Sequence, residues 1–435
     1  MSHFQELGLS KARLACIEKL GFKAPTPIQK KSIPVILGSQ EDVVAKANTG
    51  TGKTAAFGLP LLDLIDPNVK TTQACILVPT RELALQVTKA LTSFLAGQPC
   101  SIVSIYGGQS MAMQCKALKK SATIVVGTPG RIMDHLRRKT LNLQTIEHLV
   151  LDEADEMLNM GFLEDIETIL EQTNANRRIY WFSATMPKRM RALIKRYLAK
   201  HVLIEVQATV QTVNNIEQSY YEVTPKNKWQ CLLNIIQMRV DFYGVVFAQT
   251  RREVDEVVGK LKVSGYNAHA IHGDIQQRQR EQVLAEFRQG RCKILVATDV
   301  AARGIDVQGL NVVVNYSLGQ SPESYVHRIG RTGRAGQKGE AISLVLGSQK
   351  RSWSFIQRIN KLQVTKKKIP SPEMVKTYQK EALLAKLNSF MQSEQDHGSY
   401  KALAGKLLAQ HSPTQVVSML LSYVAGDKEY ASSAA

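Results

Sequence analysis

The run 47-ANTGTGKT-54 spaces glycine, hydroxyl and lysine side chains as a phosphate-binding turn requires. Glycines at a strand-to-helix junction let backbone N–H groups and the helix N-terminus face an anion. Lys53 then reaches the β- and γ-phosphates of a nucleoside triphosphate, and the Thr54 hydroxyl is placed to hold Mg2+. Thr49, Gly50, Thr51 and Gly52 complete the expected cradle. Ala47 stands where the strict pattern has glycine, so a plain surface loop is the competing reading.

A nucleotide site of this kind needs a second carboxylate at the end of a neighbouring strand. The stretch 149-LVLDEADEML-158 supplies Asp152 for the metal and Glu153 to orient or deprotonate an attacking water. Glu156 in the same stretch reads as a solvated turn residue. Charge that builds on the γ-oxygens calls for cations opposite the metal. The run 327-HRIGRTGRAG-336 offers Arg328, Arg331 and Arg334 between glycines, where forked guanidiniums can approach phosphate. Taken alone, that run also reads as a basic surface turn.

These residues need a scaffold, and the chain alternates strand-like and helical stretches. ACILVPT (74–80), SIVSIYGG (101–108), ATIVVGTPG (122–130), HLVLDEAD (148–155) and RIYWFSAT (178–185) are β-rich runs ending in turn signals. The series repeats in YGVVFAQT (243–250), AHAIHGD (268–274), CKILVATD (292–299), NVVVNYS (311–317) and EAISLVL (340–346). Alternation of this kind predicts α/β architecture: two tandem parallel-sheet domains covered by helices, at 1–205 and 217–365, joined by a polar linker at 206–216. Apolar residues at helical spacing in 373–391 and 414–424 predict a small helical extension over 370–426, followed by a polar tail at 427–435.

Composition bounds the partners. The 435 residues carry 56 Lys and Arg against 37 Asp and Glu, a net charge of +19, which favours a polyanion such as nucleic acid. No apolar run approaches the roughly 20 residues of a membrane span, so no membrane role is expected. The six cysteines are scattered without CxxC pairs and read as buried hydrophobes in a reducing cytoplasm.

The phosphate loop, Asp152-Glu153-Ala154-Asp155, 183-SAT-185 and HRIGRTGR together resemble the DEAD-box RNA helicases of helicase superfamily 2. The resemblance extends through 25-PTPIQ-29, 79-PTREL-83, Gly107-Gly108, 128-TPGR-131, 245-VVFAQT-250, 272-HGD-274 and 298-TDVAARGID-306, over residues 1 to about 365. It implies two RecA-like domains and ATP as the nucleotide, with adenine held by Phe22 and Gln29 and ribose reached by Gly304 and Asp306. Arg331 and Arg334 would be arginine fingers, and His327 with Asp155 would join the lobes. Ser183 and Thr185 would couple the ATP site to RNA. Thr80, Arg81, Gly108, Thr128, Gly130 and Arg131 would line the RNA path in lobe one, and Thr250, Gly273, Asp274, Arg280 and Thr298 in lobe two. These are small, hydroxylic or basic groups suited to phosphates and 2′-hydroxyls, so sequence-independent binding is expected.

The resemblance also implies an ATP-driven helicase that locally unwinds short duplexes or remodels RNA–protein complexes. An RNA clamp or annealing chaperone and a DNA-directed translocase are the alternatives. The helices after Pro370 resemble the extension of long bacterial cold-shock and ribosome-assembly members, implying a homodimer or a hairpin folded back on lobe two. Ribosomal or RNA-decay complexes are then expected partners. No Gly/Arg-rich tail follows, so the chain reads as an excerpt. Tyr316-Ser317-Leu318-Gly319 departs from the family's Tyr-Asp-x-Pro, which puts the strength of coupling between the lobes in question.

Overall fold

The computed structural model describes residues 3–47, 50–198, 200–206, 216–302, 309–333, 338–360, 362–392 and 398–425. Thr49, Gly304, Asp306 and Arg334, nearly all of the expected linker and the expected tail lie outside the described residues.

Lobe one runs α1 (Lys11–Lys19), α2 (Pro27–Gly38), β1 (Asp42–Lys46), α3 (Lys53–Leu64), β2 (Ala74–Leu77), α4 (Arg81–Phe94), β3 (Ile102–Ile105) and α5 (Met111–Leu118). It continues with β4 (Ile124–Gly127), α6 (Pro129–Arg137), β5 (His148–Leu151), α7 (Ala154–Asn159), α8 (Leu163–Glu171), β6 (Arg178–Ser183), α9 (Lys188–Tyr197) and β7 (His201–Glu205). Next come β8 (Ile216–Val223), α10 (Lys228–Gln237), β9 (Gly244–Phe247), α11 (Arg251–Val263), β10 (Ala268–Ile271), α12 (Gln277–Arg288), β11 (Ile294–Ala297) and α13 (Asp299–Ala302). The remainder is β12 (Val312–Asn315), α14 (Pro322–Ile329), β13 (Gly339–Leu346), α15 (Lys350–Ile359), β14 (Thr365–Lys367), α16 (Pro372–Met391), α17 (Lys401–Gln410) and α18 (Pro413–Ala425).

Two parallel seven-stranded sheets result, ordered β3-β4-β2-β5-β6-β1-β7 and β10-β11-β9-β12-β13-β8-β14. Adding seven to every strand number of the first order gives the second, so the two lobes share one topology. The central strands are buried along their whole length, as parallel strands covered on both faces must be. In lobe one, β2 and β5 send Ile76 and Val150 into one apolar layer and Cys75, Leu77, Leu149 and Leu151 into the other.

By packing, Met1–Tyr221 and Tyr243–Lys367 form one compact unit, while Glu222–Phe242 and Lys368–Ala435 form another. Within the latter, α10 packs on α16 and α17 packs on α18. Leu403, Leu407, Leu408, Val417, Met419 and Leu420 are exposed. Among the described residues, no helix is long and apolar enough to cross a membrane.

Candidate functional site

Parallel sheets gather ligands at the carboxyl ends of their strands. In lobe one β5, β6 and β1 are neighbours, so the acidic stretch, the Ser-Ala-Thr turn and the phosphate loop emerge side by side. Gly50 and Gly52 take φ of +78° and +87°, which L side chains resist. A Cβ on Gly52 would also lie 2.5 Å from Gln29 Nε2. Gln29 is buried; its Oε1 accepts from Thr26 N at 2.9 Å, and its Nε2 donates to Gly52 O at 3.1 Å. One side chain thus caps α2 and fixes the loop. Phe22 sits edge-on between Phe4 and Phe94, each with ring centroids 6.3 Å away.

Lys53 is 6% exposed, and its ammonium has no hydrogen-bond partner among the described residues. A buried, unsatisfied cation is costly unless a ligand supplies the missing acceptors. The oxygens of a triphosphate are acceptors of the right charge. Asp152 is 2% exposed; burial pushes its carboxyl up to about 6 against the pull of Lys53, with Glu153 and Asp155 adding repulsion. A divalent cation beside Asp152 and the Thr54 hydroxyl would relieve the same repulsion, so these groups fit Mg2+. Glu153 is buried in the left-handed region at φ 52°, ψ 47°. Such a conformation in a non-glycine residue is held by its surroundings and occurs at working sites.

Asp155 is tied inward. Its Oδ2 accepts from Thr185 N and Thr185 Oγ1, each at 2.8 Å, while Ser183 Oγ accepts from Asp155 N at 3.3 Å and donates to Thr185 O at 2.7 Å. These hydrogen bonds therefore bind the acidic helix to the Ser-Ala-Thr turn. Glu156 corrects the sequence reading. It is 3% exposed, not solvated, and its Oε1 lies 2.9 Å from His327 Nδ1 in lobe two. The structure thus puts His327 on Glu156, with Asp155 engaged by Thr185. The reason is local: α7 starts at Ala154, so Glu156 lies in a buried first turn.

In lobe two, Arg328 is consumed by the fold. It is 2% exposed, pairs with Asp299 at 2.7 Å through Nη2, donates to Asn315 Oδ1 at 3.1 Å and Ser317 O at 2.6 Å, and lies over the Phe247 ring. Arg331 is buried one turn later, its N–H donating to Arg328 O at 3.1 Å. The unusual Ser317 donates to Glu253 at 2.7 Å, and Gly319 leaves room for the Ser324 hydroxyl in the box that caps α14.

The nucleic-acid candidates fall on topologically equivalent strands. Gly108, Thr128 and Thr80 follow β3, β4 and β2; Gly273, Thr298 and Thr250 follow β10, β11 and β9. Thr80, Thr128 and Thr250 are the N-caps of α4, α6 and α11, so three helix N-termini line this edge. Arg81 lies against Gly107 and Gly108, whose lack of Cβ admits it. Arg131 donates to Gln109 O and Gln114 Oε1, and Gly130 opens the same helix. Asp274 pairs with Arg251. A cavity of about 530 Å³ is lined by Thr250, Gly273, Arg280 and Thr298, and one of about 620 Å³ by Thr185, Gln249, Thr298 and Ser324. Arg280 also crosses to lobe one, pairing with the buried Glu82 at 2.8 Å while Gln277 accepts from Arg81 at 3.2 Å. Glu82 carries no sequence assignment, although it stands inside the quoted PTREL run.

Residues 26–193 match the DEAD/DEAH box helicase family and residues 227–336 the helicase conserved C-terminal domain. The DEAD-box ATP-dependent RNA helicase CshA of Geobacillus kaustophilus is 44% identical over 421 residues, 97% of this chain and 90% of that one. This chain belongs to the DEAD-box ATP-dependent RNA helicases. The ATP-dependent RNA helicase CshA of Listeria monocytogenes is 42% identical over 99% of the helicase and 82% of its own length. Among solved structures, S. cerevisiae Dbp5 bound to RNA and ADP BeF3 superposes with a TM-score of 0.78 at 32% identity, covering 87% of the helicase and 98% of that chain. As a family member, the helicase uses ATP and binds RNA.

The Glu156–His327 contact gives a prediction for the helicase. A buried charge-assisted hydrogen bond contributes about 1.5–3 kcal/mol, or about 10–100-fold in rate if it forms on the way to turnover. Glu156→Gln and His327→Ala should each lower RNA-stimulated turnover in that range, and the double variant should lower it no further. Additive losses in the double-mutant cycle would show that the two side chains act separately.

Proposed function

We propose that the helicase couples ATP hydrolysis to closure of its two lobes on RNA, locally opening short duplexes and remodelling RNA or RNA–protein complexes. In this reading residues 1–205 bind ATP and carry the acidic stretch, and residues 217–365 bring the arginines. Lys53 and the backbone of 49–54 hold the phosphates, Phe22 and Gln29 border the adenine, and Gly304 and Asp306 reach the ribose. Thr54 and Asp152 hold Mg2+. When bound, the ion neutralises charge on the β- and γ-phosphate oxygens. Glu153 takes the proton of the attacking water, and Arg331 with Arg334 stabilises the transferring group. Asp155, Ser183 and Thr185 relay the state of the ATP site to the strands that bear RNA contacts.

The observation that carries this reading is the division of each sheet's carboxyl edge. In lobe one, the groups proposed to handle phosphate follow β5, β6 and β1, while the hydroxyl, glycine and arginine candidates follow β3, β4 and β2. That second set suits a backbone rather than base edges. RNA should therefore stimulate ATP turnover regardless of sequence, and single-stranded DNA much less. Equal stimulation by the two would make this a general nucleic-acid motor. A clamp or annealing chaperone with little unwinding is the second reading, separated by strand-displacement assays with and without ATP.

The exposed leucines of α17 and α18 favour a homodimer through these helices. Light scattering should give twice the chain mass for the full chain and the single mass when residues after 370 are removed. A full-length monomer would dismiss the dimer. A cytoplasmic place in ribosomal or RNA-decay assemblies completes the proposal, and crosslinking RNA in cells tests it.

A further inference from the structure

At the opposite, amino end of the lobe-one sheet, a cavity of about 270 Å³ opens between the segments preceding β2 and β4 and the loop after α6. Lys70, Lys119, Ser121, Thr140 and Asn142 are among its lining. Lys116, Lys120, Arg138 and Lys139 stand next to these in sequence, and with Lys70 and Lys119 all six cations are exposed. Among the described residues none of the six forms an ion pair. Of the carboxylates nearby, Asp66 accepts from Asn68 and Asp134 pairs with Arg131, so the exposed Glu147 beside Thr145 leaves the six cations well in excess.

Cations at helix carboxyl ends are common, because they offset the dipole there. That accounts for Lys116 in the last turn of α5 and for Arg138 at the end of α6. It does not account for Lys70 or Lys139, which lie outside both helices. The two helices also begin where the RNA candidates are. α5 follows Gly108 and α6 contains Gly130 and Arg131. Gln114 locks them together, donating to Tyr106 O at 2.9 Å and lying 3.1 Å from both Arg131 Nη1 and His135 Nε2. The cationic rim is thus held one helix length, about 12 Å, from the RNA edge, a span of about four nucleotides of stacked backbone.

We propose that this rim is a second docking surface for RNA phosphates, engaged by RNA that extends beyond the path at the carboxyl edge. The inference rests on the RNA path described above and adds a site that the path does not contain. Each phosphate neutralised at the rim releases counterions, so the rim should add affinity that grows with RNA length and falls with salt.

The test uses the full chain carrying Lys116→Gln, Lys119→Gln, Lys120→Gln, Arg138→Gln and Lys139→Gln together. Its affinity for single-stranded RNA of about 10 and about 40 nucleotides is compared with the parent's over a salt series. The long RNA should bind about tenfold more weakly, with a salt slope reduced by about 0.7 for each phosphate that is no longer neutralised. Binding of the short RNA and turnover at its saturation should be unchanged. Unaltered affinity for long RNA overturns the proposal, and so does an equal loss for both lengths, which would report only the lower net charge. Failure of the parent to bind or respond to the short RNA would instead overturn the RNA path, while the long-RNA comparison still judges the rim.

Discussion

Glu153→Gln should stop RNA-stimulated ATP hydrolysis while leaving ATP and RNA binding in place. The proton of the attacking water needs an acceptor, and a positioned carboxylate contributes about 10²–10⁴-fold in rate. Glutamine keeps the shape of the side chain and loses that acceptor. It also keeps the left-handed backbone at φ 52°, which the end of β5 and the start of α7 impose on whatever residue stands there. Single-turnover hydrolysis, nucleotide titration and thermal melting together decide the matter. A variant that binds both ligands, melts like the parent and hydrolyses at the parent's rate would show that Glu153 is not the base. A variant that fails to bind ATP would instead assign Glu153 to holding the nucleotide.

Why Glu153 can be found at all in the sequence lies in the strand beneath it. Leu149, Val150 and Leu151 are β-prone and wholly apolar, as a strand buried on both faces must be, so the first polar residue after them marks the carboxyl edge. The same reasoning marks Thr80 after β2 and Ser183 at the end of β6; after β9 it marks Gln249, and Thr250 beside it is named only through the family resemblance. That reasoning is silent on the edge strands: β14 is Thr-Lys-Lys with no apolar run, and β7 has Val202-Leu203-Ile204 but buries only Ile204. The paired roles are harder to read. Glu156 meets His327 across 171 residues of sequence, and Arg280 reaches Glu82 in the other lobe. A lone charge in a sequence looks the same whether it faces water or a distant partner. Periodicity marks which face of a helix is buried, but not which group waits there.

That ambiguity is sharpest in HRIGRTGR, where Arg328 is bound into the fold and Arg331 is proposed as the finger, and it yields the second large prediction. Arg331→Ala should lower turnover by about 10³–10⁵-fold, the range for an arginine that stabilises a transferring phosphoryl group. Because Arg331 is itself buried, the variant's melting curve is read beside its turnover, so that lost chemistry is separated from lost fold. Arg328→Ala should act at the level of the fold. It removes the guanidinium that spans Asp299, Asn315 and Ser317, leaving a carboxylate and two oxygen acceptors without their donor. Breaking a buried pair by deleting one partner costs about 3–5 kcal/mol, so Arg328→Ala should melt well below the parent. The turn between the two residues explains the contrast. Arg328 is anchored within lobe two, and His327 beside it is anchored to Glu156 of lobe one. Arg331, whose N–H donates to Arg328 O, therefore sits on a turn held from both lobes, which is the support the proposed finger role needs. Melting curves and single-turnover rates on both variants separate these duties. An Arg328→Ala chain as stable as the parent, or an Arg331→Ala chain as fast, would mean that the brace and the finger have been assigned to the wrong arginines.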